Sequence, residues 1–257
     1  MPELPEVETT VRALAPHVTG RRILEARFFQ SRILRGAPEP DLAGKVIHAV
    51  RRHGKHILFE LGEETLAIHL GMTGRLLVNA DVGPHTRALF VLDGVHFCFD
   101  DPRMFGRVEM NPTGLARLGP EPLEVSLDEF RRRLAGHRTR IKALLLDQTF
   151  LRGIGNIYAD ESLFRAGIHP RAVAARLGEE RSKRLYTAIR KVLQEAISSG
   201  GSSVSDYVDA EGRCGWFQFR HRVYQKDGEP CPRCGATIRR ILVVQRGTHY
   251  CPKCQRI

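Results

Sequence analysis

The 257-residue chain has no apolar run approaching the roughly 20 residues that a membrane helix needs. Its first residues, MPELPEVETT, are acidic and carry no apolar stretch, so no secretory leader is expected. A cytoplasmic protein without a membrane partner is the natural reading. No segment repeats at a fixed period, and the 42% hydrophobic content is ordinary, so disorder is not expected. Acidic residues are in deficit: 29 Asp and Glu face 40 Lys and Arg, for a formal net charge of +11.

That positive charge is unevenly placed. From Arg213 to the end, ten Lys and Arg face only Asp227 and Glu229. Such an excess on a short segment suits a polyanion, most often nucleic acid. A solvated basic face explains the charge equally well.

The hydrophobic pattern changes along the chain. Val7, Val11, Leu14 and Val18 mark one face of a helix over residues 6–18. From Ile23 to about Met110 come short strand-like runs, among them HILFEL, TLAIHL, ALFVL and VHFCF, with Asp93-Gly94 as a hairpin signal. Many short strands in so short a stretch predict a β-sandwich or barrel-like domain. PTGLARLGPEP (112–122) reads as a linker. Helical patterns follow at 127–134, 141–147, 157–165 and 179–198, and Gly200-Gly201-Ser202-Ser203 then opens a polar loop. The expected class is α+β: a β-rich domain over 1–112, a hinge over 113–126, a helical domain over 127–227 and a cysteine-bearing tail over 228–257.

Cys231-x2-Cys234 and Cys251-x2-Cys254, with sixteen residues between the pairs, have the spacing of a four-cysteine zinc site. Four thiolates leave no open position for water, so one structural Zn²⁺ is expected, its binding supplying folding energy to a tail too short for its own core. Two disulfides are the alternative, disfavoured in a chain without a leader. Cys98 and Cys214 read as a core and a loop residue.

Pro2 is followed by Glu3, Pro5, Glu6 and Glu8. With Met1 attached, the Pro2 nitrogen is an inert tertiary amide. Removal of Met1 would expose a secondary amine with an ordinary pKa near about 8. Such an amine can attack an electrophilic sugar carbon, and Glu3 beside it could protonate a sugar oxygen. Pro and acidic residues are equally good openers of a helix, so on these residues alone both readings stand.

Taken together, MPELPEVETT, HLGMTGRL (69–76), DDPRMFG (100–106), LGPEPL (118–123), DQTFLRGIGNIYADESLFRAGIHP (147–170), GGSS (200–203) and QRGTHYCPKCQ (245–255) resemble, in order, formamidopyrimidine-DNA glycosylases. The resemblance spans essentially the whole chain. It implies an N-terminal β-sandwich domain and a C-terminal helix–two-turn–helix domain with a zinc-finger β-hairpin. It also implies excision of oxidised purines, chiefly 8-oxoguanine and formamidopyrimidines, followed by β,δ-elimination at the abasic site. The implied partner is damaged double-stranded DNA, bound by a monomer in a cleft between the domains.

By the same resemblance Pro2 is the Schiff-base nucleophile and Glu3 the proton donor. Lys55, read here as a strand residue, serves β-elimination, and Arg246 grips phosphate and assists δ-elimination. His69, His85, Lys142 and Asn156 are implied DNA contacts, with Asn156 opening a helix whose backbone N–H groups can hold phosphate. Met72, Arg103 and Phe105 are the implied fillers of the gap left by a flipped base; without the resemblance Met72 and Phe105 read as core. Glu6, Ser202 and Ser203 are implied in lesion recognition, within a loop (202–217) that caps the flipped purine. Met104, Arg87 and His137 stand where the family often has Arg or Lys, His, and a basic residue, although Arg138 and Lys142 lie close enough to His137 to compensate.

Two rival readings remain. An endonuclease VIII-type relative would prefer oxidised pyrimidines, but Leu4 and the long 200–217 loop favour the purine enzyme. A zinc-ribbon DNA-binding protein without catalysis would have an altered Pro2, Glu3 or Lys55, and all three are intact.

Overall fold

The computed structural model describes residues 2–36, 39–204 and 206–257. The chain forms two units, Met1–Ala116 with Ile197–Gln218, and Arg117–Ala196 with Phe219–Ile257.

The first unit opens with helix α1 (Leu4–Val18), whose Val7, Val11, Leu14 and Val18 are buried as their spacing predicts. The helix starts at Leu4, two residues before the expected bound at residue 6. Pro5 suits the first turn, where no N–H is needed, and the Glu6 carboxylate accepts the Glu3 N–H at 2.9 Å. Among the described residues nine strands follow: β1 (Ile23–Phe28), β2 (Leu34–Arg35), β3 (Ala49–His53), β4 (His56–Glu60), β5 (Thr65–His69), β6 (Arg75–Val78), β7 (Thr86–Leu92), β8 (Val95–Asp100) and β9 (Arg107–Met110). They make a four-stranded sheet in the order β1-β7-β8-β6 and a five-stranded sheet in the order β2-β9-β5-β4-β3.

Inward-facing aromatics join the two sheets. Phe59 of β4 stacks on Phe97 of β8 with centroids 5.5 Å apart, and Phe97 stacks on Phe90 of β7 at 4.5 Å. Helix α1 packs on β3, β4 and β6 and contributes Val7, Val11 and Leu14 to the same core. Asp93 and Gly94 form the expected two-residue turn, since Leu92 pairs with Val95. A second two-residue turn corrects the sequence reading: His53 pairs with His56, so Lys55 lies in the turn between β3 and β4 and not on a strand.

The second unit contains α2 (Leu127–Ala135), α3 (Ile141–Leu146), α4 (Asn156–Ala166), α5 (Glu179–Ser198) and the hairpin β10 (Arg239–Val243) with β11 (Arg246–Tyr250). Ser126 caps α2 by accepting the Glu129 N–H at 3.2 Å, the role serine plays best. Leu185, Ile189, Val192 and Leu193 form the buried stripe of α5. The α+β class expected from the sequence is present, with sheets in the first unit, helices and the cysteine-bearing hairpin in the second. No helix among the described residues is long and apolar enough to cross a membrane.

Candidate functional site

Pro2, Glu3 and Glu6 are all buried at the start of α1, with Glu3 only 3% exposed. Glu6 divides its carboxylate: Oε2 accepts the Glu3 N–H, and Oε1 accepts the Ser202 N–H at 2.7 Å. The Tyr207 hydroxyl donates to the Glu6 carbonyl at 2.9 Å, which adds a second tie between α1 and the loop. These bonds explain why the segment 197–218, expected in the helical domain, folds with the first unit. Gly201 permits the approach: it has φ +82°, and a Cβ there would lie 3.1 Å from the Glu6 side chain. Ser203 Oγ donates to the Tyr207 carbonyl at 2.7 Å and accepts the Gly215 N–H at 2.8 Å. Glu6 and Ser203, implied in lesion recognition, have their side-chain oxygens engaged by backbone groups. They position the loop.

Lys55 is held by an ionic brace. Glu8 on α1 accepts from Arg52 of β3 at 2.9 Å and from Arg12 at 2.7 Å, and Arg52 also donates to the Gly54 carbonyl at 3.3 Å. Burial raises the Glu8 carboxyl, but the two arginines together outweigh it and hold the group below its ordinary value. The turn carrying Lys55 is therefore fixed to the helix that Pro2 directly precedes.

Met72 and Phe105 are 40% and 43% exposed, so they are not core residues, and the Arg103 guanidinium lies 4.7 Å from the centre of the Phe105 ring. The buried carboxylate of Asp101 organises both of their loops. It accepts from Thr73 Oγ1 at 2.6 Å, the Gly106 N–H at 2.7 Å and the Arg103 N–H at 3.3 Å. Gly71 fits only as glycine, because a Cβ would lie 2.5 Å from the Phe105 backbone. Arg87 donates to the Asp101 carbonyl at 2.8 Å; it braces this turn from within, and His85 is exposed beside it. Met104 adopts a left-handed φ of 55° at the turn.

His69 lines a recess of about 280 Å³ with His56, Phe105 and Arg107. Burial, reinforced by His56, pushes its pKa down to about 3, so the ring is neutral. Its Nδ1 faces the Gly71 N–H at 3.0 Å and must accept, which makes Nε2–H a donor.

In the second unit, the turn before α4 is knotted by Gln148, which donates to the Leu146 and Ile154 carbonyls and accepts the Gly153 N–H. Asn156 opens α4 and donates to the Gly247 carbonyl at 3.0 Å, joining the helix start to the hairpin. Arg246 is exposed directly after the hairpin turn, whose residues Val244 and Gln245 have φ 45° and 59°. A β-branched residue there is strained, a condition held in place by the pairing of Val243 with Arg246.

Lys142 requires a correction. Expected as a DNA contact, it is fully buried and forms a 2.6 Å ion pair with Asp160, also fully buried, while donating to the Gly247 carbonyl at 3.3 Å. A phosphate cannot reach it. Of the two residues expected to compensate at His137, Arg138 is exposed and can supply the basic charge, as can the exposed Arg140.

The Sγ atoms of Cys231, Cys234, Cys251 and Cys254 all lie within 4.8 Å of one another. Zn–S bonds of about 2.3 Å in a tetrahedron require sulfurs about 3.8 Å apart, and Cys231–Cys254 and Cys234–Cys251 stand at 3.9 and 3.5 Å. The donor set fits one structural zinc. Gln255 ties the second knuckle to the end of α4 by accepting the Cys251 N–H and donating to the Ile168 carbonyl.

Sequence reasoning misses several buried groups. Asp101 stands out only as one letter of a motif. Asp160 accepts the His249 N–H at 2.9 Å, and Glu161 accepts the backbone N–H groups of Arg222, Val223 and Tyr224. Burial raises the Glu161 carboxyl against those three donors. Two adjacent acids inside the apolar run NIYADESLF are the one available signal.

Three family models match the chain: the formamidopyrimidine-DNA glycosylase N-terminal domain over residues 1–108, its H2TH domain over 118–208, and the zinc finger found in FPG and IleRS over 228–257. The chain is 56% identical to the formamidopyrimidine-DNA glycosylase of Solibacter usitatus and 45% identical to that of Heliobacterium modesticaldum, each over the full length of both chains. It is similar to the MutM (FPG) protein of Thermus thermophilus, with TM-score 0.90, 45% identity and coverage of 99% of this chain and 98% of that one. A complex of wild-type Lactococcus lactis Fpg (MutM) with N7-benzyl-Fapy-dG-containing DNA gives TM-score 0.91 and 36% identity over all of both chains.

Proposed function

The chain belongs to the formamidopyrimidine-DNA glycosylase family, and we propose that it excises oxidised purines with Pro2 as nucleophile and then nicks the strand as an abasic-site lyase. Relatives whose structures hold Fapy-dG and carbocyclic 8-oxo-G DNA support the substrate class. The proposed setting is double-stranded DNA in the cytoplasm, bound by a monomer. The required departure of Met1 concerns a residue outside the described ones.

In this reading the Pro2 nitrogen bonds to C1′ as the base leaves with the electrons of the glycosidic bond. Glu3 protonates the ring oxygen as the sugar opens, and the amine loses its proton to give an iminium. The iminium acidifies C2′. Loss of that proton expels the 3′-phosphate, and a second elimination expels the 5′-phosphate. Lys55 and Arg246 are the proposed helpers of the two eliminations. Met72, Arg103 and Phe105 fill the gap, and His69, His85 and Asn156 contact the backbone. Bound zinc supplies the fold of the 228–257 tail and takes no part in these steps. The observation that carries the proposal is the burial of Pro2 and Glu3 at a helix start clamped through Glu6 to the Ser202 loop.

Borohydride trapping on a duplex with one 8-oxoguanine opposite cytosine tests it. An adduct on the Pro2 peptide is expected, with excision lost and DNA affinity kept in Pro2→Gly. Parental cutting by that variant would remove Pro2 from the mechanism.

A further inference from the structure

Two recesses, of about 310 and 520 Å³, adjoin each other around the zinc knuckles and share Arg165 and Arg233 in their walls. Arg222 joins them in the first recess, and Arg181, Arg184 and Arg256 in the second. Six guanidinium groups thus border one continuous depression. Glu195 takes up the fork of Arg165 at 2.7 and 2.6 Å and so offsets that one arginine, and Glu161 is buried under three backbone N–H groups. Arg233 lies over the Phe164 ring at 4.7 Å, which holds its guanidinium at the rim. Partial burial, and to a lesser degree the adjacent Arg184, lower Arg181 below its ordinary value.

Position separates this surface from the proposed lesion grip. Asn156 stands at the start of α4 beside the Arg246 hairpin, and Arg165 stands one residue from its end. Nine residues of helix place the two about 14 Å apart along the axis. Arginine without lysine suits phosphate, which its planar fork binds in a bidentate manner.

We propose that this depression is a second DNA-binding face, which takes the phosphate backbone of another duplex segment while the first face holds its own. The inference rests on the family reading for the first face only. With both faces charged, the protein passes directly from one segment to another without first dissociating.

The test loads the zinc-containing protein on a labelled duplex carrying an abasic-site analogue and follows dissociation as unlabelled undamaged duplex is added. For the parent the dissociation rate rises with competitor concentration. Arg184→Glu with Arg222→Glu, both at exposed positions, lowers that dependence about tenfold and reduces the salt slope of second-duplex binding by about 2. Arg184→Gln with Arg222→Gln gives an intermediate effect and confirms that the fold survives neutral replacement. Single-turnover excision of 8-oxoguanine from a short duplex stays at the parental rate in all of them. Equal competitor dependence in parent and charge-reversed protein overturns the proposal, as does a dissociation rate indifferent to duplex while the arginines bind polyglutamate. Absence of excision in the parent would instead count against the family reading, since transfer is measured separately.

Discussion

Glu6 Oε1 accepts the backbone N–H of Ser202 at 2.7 Å across 196 residues of sequence. Its other oxygen holds the Glu3 N–H, so one buried carboxylate joins the backbone next to Pro2 to the loop proposed to cap the lesion. Glu6→Gln keeps one acceptor and turns an NH₂ toward the other donor. A hydrogen bond to a charged group contributes about 1.5–3 kcal/mol, so the loop loosens and excision falls about tenfold or more. Amide exchange over residues 200–217 should quicken in the variant while DNA affinity holds. Unchanged protection of Ser202 would show that the clamp does not set loop order.

His69 ties stability to pH. Its folded pKa, about 3, lies below the ordinary 6.5, so the unfolded chain binds the proton more readily between those values. The stabilisation is complete above about 6.5 and is lost as pH falls toward 3. His221, lowered to about 4 by burial, acts in the same direction. Urea midpoints measured across this window should rise with pH, and His69→Gln should flatten part of that rise. An identical slope in the variant would remove His69 from the acid response.

Those two groups also show what a sequence discloses. The runs HILFEL, TLAIHL, ALFVL and VHFCF, the Asp93-Gly94 turn, the α1 stripe and the paired cysteines are local patterns, and each appears in the structure where its spacing places it. Burial of a charged side chain is not local. Lys142 owes its position to Asp160 on the next helix and to Gly247 on a distant hairpin, and neither partner marks the sequence around Lys142. Lys55 differs from its expected place by a single residue of register, because KHILF reads as a strand from its first letter while the pairing of His53 with His56 turns the chain there. Loop 197–218 departs from its expected domain because its partner, Glu6, lies at the other end of the chain.

Metal removal separates the two units. The small core around the knuckles is Phe164, Val223, Cys231, Ile238 and Cys251, too little to order residues 228–257 alone. Structural zinc in isolated fingers contributes about 10–16 kcal/mol. Cys251→Ser, or a strong chelator, should therefore unfold the tail, expose the Arg246 hairpin and weaken DNA binding sharply. The Phe59–Phe97–Phe90 core of the first unit should melt as before. Calorimetry with zinc titrated back reads both effects, and DNA affinity that survives chelation would deny the finger a part in binding.

Lys142 offers the sharpest separation of a DNA contact from a structural one. Removing one partner of a buried ion pair leaves the other charge uncompensated, at a cost of about 3–5 kcal/mol. Lys142→Met should therefore destabilise the second unit strongly, and adding Asp160→Asn should recover part of the loss, since the amide oxygen can still accept the His249 N–H. A phosphate-binding lysine behaves otherwise: its loss leaves stability nearly intact and lowers the salt slope of DNA binding by about 1. At a temperature where Lys142→Met is still folded, that slope should match the parent, because the ammonium is fully buried and releases no counterion from DNA. A slope reduced by one with unchanged stability would return Lys142 to the DNA surface and show that the Asp160 pair opens when DNA binds.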